Sequence, residues 1–213
     1  MYVPQHFAAD DADALIANLT RRVAGILVSV DADGQPIATH LPVLWDAVTR
    51  TVRGHIARAN EHWKLGAGRA LIVLAGPEAY VSPSFYPSKA EHGKVVPTWN
   101  YEAVHLSGAI EWFDGPRLEA VVRDLSVLHE QDRANPWSIE DAPRPYIDAM
   151  LRGIVGVEMR VEKVEAKRKL SQNKSAADFD GVIAGLGRGN ASETEIAALM
   201  RARRAVSDAP DGN

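Results

Sequence analysis

The stretch IVGVEMRVEKVEA, Ile154 to Ala166, sets Val155, Val157, Met159 and Val161 against Glu158, Arg160 and Glu162. A period of two puts alternate side chains on opposite faces, which suits a long strand with one face buried and one wet. Other stretches follow suit. VAGILVSVDADGQPIATHLPVLW reads as two strands joined through Asp31-Ala32-Asp33-Gly34, with Asp-Gly supplying hairpin turn chemistry. TRTVRGHI places Val52, Gly54 and Ile56 on one face, ALIVLAG is a continuous apolar run suited to a buried strand, and YEAVHLSGAIEWF is another long strand. Helices are few. Asp10-Asp11-Ala12-Asp13 predicts a helix start, with the helix over roughly residues 11–20. DGPRLEAVVRDLSVLHE carries Leu118, Val121, Val122, Leu125 and Leu128 at helical spacing, with Asp114 near the cap and Pro116 in the first turn. PRPYIDAMLRG is a shorter helix ended by Gly153. Some six strands with so few helices between them are not a βαβ series. They predict a mainly β, α+β fold: an antiparallel barrel or sheet with helices added at its ends.

The 213 residues, 46 % hydrophobic and 24 % charged, suit one ample domain, alone or with an appendage. A net charge of -4 offers no general pull toward nucleic acid. The lack of cysteine excludes disulfides, thiolate metal sites and Cys nucleophiles, and fits a reducing compartment. MYVPQHFAADDADAL lacks a signal-peptide pattern, and no run approaches the ~18 apolar residues of a membrane span, so a soluble cytoplasmic protein is expected. After about Lys169 the strand signal ends. Two short helices separated by GLGRGN are expected, the second opening with a Ser192-x-x-Glu195 capping box, and SDAPDGN is expected to fray.

Four stretches could carry chemistry. GHIARANEHWK offers Arg58, Asn60 and His62 for an anion at a strand exit, with Lys64 adding charge and Trp63 a flat wall. The plainer reading has the cations solvated, Asn60 in a turn and Trp63 in the core. In IATHLPVLW, His40 precedes Pro42, which marks an edge, a bulge or a ligand-facing position. AYVSPSFYPSKAEHGKVVPTWNYEAVHLSG is long, proline-rich and aromatic: an oligomer interface, a cofactor pocket or a loop covering a barrel end. KRKLSQNKS places four cations where the last strand ends, as a second anion clamp or as a helix start with solvated lysines, with Ser171 or Ser175 as cap. The seven histidines have no metal-ligand spacing, so no metal is expected. No GxSxG elbow is present, and Gly185, Gly187 and Gly189 follow a helix, which argues against a Rossmann turn.

Taken in order, MYVPQHF, THLP, GHIARANEHW, AYVSPSFY, VPTWNY and KLSQNKS resemble the PaiB family, FMN-binding negative transcriptional regulators, from Met1 to about Leu186. The resemblance implies an FMN-binding split β-barrel like that of flavin reductases and pyridoxamine-phosphate oxidases, a homodimer with FMN at the subunit interface. It implies that Thr39, His40 and Leu41 lie along the isoalloxazine, and that Arg58, Asn60, His62 and Trp63 hold the phosphate and ribityl chain. It implies further that Thr98, Trp99 and Asn100 come from the partner subunit, with Gln172 and Asn173 close by. Two positions depart from the family pattern: Glu61 stands where Pro is more usual, and Lys174 where Arg is. Glu61 puts a negative charge beside the phosphate site.

The end of the strand signal divides the chain into a split-barrel FMN-binding domain, 1–170, and a helical extension, 171–213, expected to pack on the barrel or the dimer partner. The resemblance implies a regulatory, flavin-dependent or flavin-sensing homodimer. The rival reading is a flavin-dependent oxidoreductase acting on an unknown small molecule, with His40 or His105 as proton donor. Direct DNA binding is supported only by the basic end of the last helix, Arg201, Arg203 and Arg204. It is opposed by the acidic balance and by GLGRGN, which is longer than a helix-turn-helix turn.

Overall fold

A computed structural model describes residues 1–207; the segment expected to fray lies, beyond Ser207, outside the described residues. In chain order the elements are α1 (Ala12–Arg22), β1 (Gly25–Val30), β2 (Pro36–Leu41), β3 (Val43–Asp46), β4 (Thr51–Ala57), β5 (Gly68–Val81), α2 (Ser88–His92), β6 (Thr98–Phe113), α3 (Pro116–Glu130), α4 (Arg144–Arg152), β7 (Ile154–Lys169), α5 (Ala176–Leu186) and α6 (Ala191–Ser207). The seven strands form one sheet in the order β2-β1-β5-β6-β7-β4-β3.

Pro42 explains why this sheet is a split barrel. β2 and β3 are the two outer strands of the order, yet Pro42 alone separates them in the chain. The sheet must therefore curl until its edges meet. β2 pairs with β1 on one side, Leu41 opposite Gly25, while β3 pairs with β4 on the other, Val43 opposite Gly54. Gly54 is required there, because a Cβ would fall 2.4 Å from the Pro42 carbonyl oxygen. The proline signal in IATHLPVLW is thus a seam between two strands.

The described residues divide into two compact units. The barrel unit comprises Asp11–Ala75 and Val104–Glu165. The hairpin turn forms as expected: Asp31 Oδ1 accepts from the amides of Asp33 (2.9 Å) and Gln35 (2.8 Å), and Gly34 has φ +80°. In β7, Val155, Val157, Met159 and Val161 are buried, the face the alternation assigned to the interior. Asp11 caps α1 by accepting from the Ala14 amide at 2.9 Å, and Leu15, Ile16 and Leu19 are fully buried. Each such side chain contributes about 1.5–3 kcal/mol on leaving water. Val121 and Leu125 of α3 pack on Leu44. Gly115 occupies the α3 N-cap position, while the Asp114 side chain turns to Arg58.

The terminal unit comprises Met1–Asp10, Gly76–Ala103 and the described residues from Ala166 onward, so the helices of the extension group with the N-terminal residues and the 76–103 segment. Val182 and Leu186 of α5 and Ile196 and Met200 of α6 share a buried cluster with Val81, Tyr86 and Leu170. Gly185 lets α5 lie against Phe85, whose ring a Cβ would meet at 2.3 Å. The capping box of α6 falls two residues earlier than expected. The Glu193 amide donates to Asn190 Oδ1 at 3.0 Å, and the Asn190 amide to Glu193 Oε2 at 2.8 Å. Ser192 instead donates to the Glu78 carbonyl at 2.5 Å. At the head of α5, Ser175 is the cap, accepting from the Asp178 amide at 3.2 Å.

Candidate functional site

The exit of β4 builds the first part of the site, within the barrel unit. The Asn60 amide donates to the Ala57 carbonyl at 2.9 Å, closing a turn. Asn60 then caps the 3-10 turn Glu61–Leu65, its Oδ1 accepting from the His62 amide at 3.1 Å. Its Nδ2 donates to Thr39 Oγ1 at 3.0 Å, and Thr39 Oγ1 lies 2.9 Å from His62 Nδ1. Burial lowers the pKa of His62, which favours the neutral ring. The hydroxyl accepts from Asn60 and shares a second hydrogen bond with Nδ1, whose direction follows the ring tautomer. The ring's Nε2 is buried with no partner in the protein, and the residue is only 2 % exposed. An unpaired buried donor or acceptor costs about 1–3 kcal/mol. A group bringing a complementary donor or acceptor here would recover that cost, so these residues fit FMN, whose ring and ribityl chain carry both.

The neighbouring predicted residues divide. Thr39 and Leu41 point inward on β2 while His40 is exposed, as strand alternation requires. Leu41 is core. β2 is an outer strand, so one row of its backbone donors and acceptors is outside any ladder. Arg58 is largely committed to the protein. Its Nε donates to the Arg152 carbonyl at 3.0 Å, its Nη2 to the Ile154 carbonyl at 2.8 Å, and it forms an ion pair with Asp114. The guanidinium also lies 5.6 Å from the Trp63 ring, whose Nε1 donates to the Arg58 carbonyl at 2.8 Å. Only Nη1 takes no part in these bonds. Glu61 is exposed and paired with Lys64, which holds its carboxyl below the usual range. His105 is half-buried, and burial lowers its pKa.

In the terminal unit, Asn100 is fully buried and exchanges hydrogen bonds with Ser171 Oγ at 3.0 and 3.1 Å. Ser171 takes φ +63° to reach it. Gln172 is turned back on its own backbone, accepting from the Leu170 amide at 2.6 Å and donating to the Arg168 carbonyl at 2.5 Å. Trp99 is 50 % exposed, meeting Tyr80 edge-on at 6.0 Å, and Asn173 is exposed. Thr98 accepts from Lys169 Nζ at 2.5 Å. Asp114 and Ser171 as partners of predicted residues went unforeseen: both pairings join residues distant in sequence, which no local spacing encodes.

A family model described as "Putative FMN-binding domain" matches residues 1–163. The chain is 31 % identical over 205 residues to the protease synthase and sporulation protein PAI 2 of Bacillus subtilis, covering 94 % of this chain and 96 % of that one. Among solved structures, the conserved hypothetical protein Rv2991 of Mycobacterium tuberculosis aligns with TM-score 0.55 at 15 % identity, over 81 % of this chain and 92 % of its own. The flavocytochrome Anf3 of Azotobacter vinelandii aligns with TM-score 0.52 at 13 % identity, over 84 % and 78 %. These two share the fold.

Proposed function

The chain belongs to the PaiB family of FMN-binding proteins, and on that premise we propose that it is a cytoplasmic, homodimeric regulatory flavoprotein whose signal is flavin occupancy. The observation that carries the reading is the buried, unpartnered Nε2 of His62, at the end of the Asn60–Thr39–His62 chain. Thr39, Asn60 and His62 orient the cofactor, His40 and Trp63 flank it, Leu41 gives an apolar floor, and Arg58 offers Nη1 to the phosphate. A second copy supplies Thr98, Trp99 and Asn100, with Gln172 and Asn173 close by. In support of the dimer, Trp99, Tyr80 and Val96 place aromatic and apolar surface in water, which association would cover. When bound, FMN supplies hydride and one-electron chemistry.

The regulatory effect is proposed to be indirect. Arg203 is paired with Asp10 and Arg204 with Asp180, so the basic end of α6 is largely neutralised. A second reading, a flavin-dependent oxidoreductase acting on a small molecule, is favoured by the neutral buried imidazole of His62, an N–H donor.

Absorbance spectra of the purified protein with and without FMN test the premise. Saturable binding is expected, and its absence at about tens of micromolar FMN overturns the reading. Light scattering after size exclusion should give a dimer mass. Anaerobic bleaching of the bound flavin by NAD(P)H favours the oxidoreductase. A salt-sensitive shift of the protein's own promoter DNA replaces indirect regulation with direct repression.

A further inference from the structure

β7 ends in Lys167-Arg168-Lys169, and the alternation of a strand sorts the three. Arg168 takes one face, where its Nε lies 2.8 Å from Glu102 Oε1. Lys167 and Lys169 take the other. Lys167 is only 7 % exposed. Its Nζ donates to the Tyr2 carbonyl at 3.1 Å and lies 5.2 Å from the Tyr101 ring and 5.8 Å from Phe7. Lys169 Nζ lies 5.9 Å from the same Phe7 ring, donating to Thr98 Oγ1 and the Trp99 carbonyl. Lys174 Nζ lies 4.7 Å from the Tyr86 ring, whose buried hydroxyl has no partner in the protein.

All three cations belong to the terminal unit, and among the described residues none of them forms an ion pair. Asp178, an acid close enough to feel Lys174, forms no ion pair with it and takes hydrogen bonds from the amide and hydroxyl of Ser88 at 3.1 and 2.8 Å, so it offsets Lys174 in part and leaves Lys167 and Lys169 uncompensated. Burial, and then repulsion from Lys167 and Lys174, holds Lys169 below the usual lysine value. Aromatic faces and neutral oxygens solvate an ammonium but do not cancel its charge. Such a cluster calls for a counter-ion. Ammonium groups grip as point charges without a planar fork. Three of them suit a compact dianion with oxygens in several directions better than a single carboxylate.

We propose that Lys167, Lys169 and Lys174 form a site for a phosphate group, either inorganic phosphate or the terminal phosphate of a monoester. The site needs no flavin, although FMN is one monoester that could fill it.

Thermal unfolding of the full chain, with chloride exchanged for phosphate at constant ionic strength, tests the site. The wild-type midpoint should rise saturably with phosphate, and Lys169→Met should lose that rise. Lys174→Met, whose Nζ lies over the Tyr86 face and donates no hydrogen bond to Thr98 or Trp99, guards against a folding defect at Lys169 and should lose it too. Titration with FMN and with riboflavin, its phosphate-free form, identifies the source. If the flavin phosphate fills the site, both variants lose at least about tenfold in FMN affinity and keep their riboflavin affinity. If the phosphate is a separate ligand, FMN affinity stays while the phosphate-dependent midpoint shift disappears. A wild-type midpoint indifferent to phosphate, together with an FMN-to-riboflavin preference unchanged in both variants, overturns the proposal.

Discussion

The exits of β4 and β7 both present cations, and they handle them in opposite ways. At the β4 exit Arg58 is gripped by two carbonyls and Asp114, and Lys64 is paired with Glu61. At the β7 exit Arg168 is paired, but Lys167, Lys169 and Lys174 form no ion pair among the described residues; neutral oxygens and aromatic rings surround them, with the acid Asp178 near Lys174. Residue type favours Arg58 as the anion ligand, because a guanidinium matches a phosphate in two-point contact. The charge balance favours the lysines. A cation is available to a ligand to the extent that the protein has not already neutralised it.

Replacing Arg58 is the harshest way to break this contrast. Arg58→Ala strips hydrogen bonds from two carbonyls, leaves Asp114 unpaired and removes the stack on Trp63. With the side chain about one-third exposed, a loss of about 2–3 kcal/mol in stability is expected. That corresponds to a fall of about 5–10 °C in Tm by thermal unfolding. Lysine should not rescue it, since one ammonium cannot replace a three-way fork. An unchanged Tm with weakened FMN binding would show Arg58 to be a free anion grip after all.

Thr39→Val acts on the flavin reading without altering charge. The shape is kept, but Asn60 Nδ2 and His62 Nδ1 lose their shared partner. The expected loss is about 1–2 kcal/mol of stability and about tenfold in FMN affinity, with Thr39→Ser close to wild type. Valine binding FMN as well as threonine would remove the Asn60–Thr39–His62 chain from the site.

How far the sequence speaks depends on the range of the interaction. The alternation of Val155 to Glu162, the Asp31–Gly34 turn and the acidic start of α1 are local, and each appears where its pattern places it. Pro42 announces an interruption, but that it joins the two outer strands follows only from the pairing of the whole sheet. The Ser192-x-x-Glu195 pattern is local too, yet the box forms at Asn190 and Glu193 while Ser192 reaches the distant Glu78 carbonyl, a partner no local spacing encodes. The charge state of the candidate sites is the least readable. Nothing near Arg58 in sequence names Asp114, and nothing in KRKLSQNKS reveals that Arg168 is paired while Lys167 is caged by Tyr2, Phe7 and Tyr101.

The lysine exit makes a smaller prediction in pH. Lys169 is held below the lysine value of 10.5 in the folded chain, by burial and then by Lys167 and Lys174. The unfolded chain therefore binds the proton more tightly, and stability rises with pH as the folded group loses its proton ahead of the unfolded one. Urea unfolding at several pH values approaching 10.5 should show that rise in phosphate-free buffer. Lys169→Met should flatten it. A slope that survives the substitution assigns the titration elsewhere and weakens the view that these charges lack a counter-ion.

The smallest effect belongs to Glu61. An acid beside a phosphate site should repel the ligand, and on that ground Glu61→Gln would tighten FMN binding. Both members of its pair with Lys64 are mostly exposed, at 75 % and 57 % for Glu61 and Lys64. Water and salt screen such charges, and Lys64 already offsets the acid. Glu61→Gln is therefore expected to leave Tm unchanged and to shift FMN affinity by less than about threefold, with the difference vanishing at high salt. A tenfold gain that persists in salt would place the phosphate against Glu61, at the β4 exit, and make the Nη1 of Arg58 its main grip.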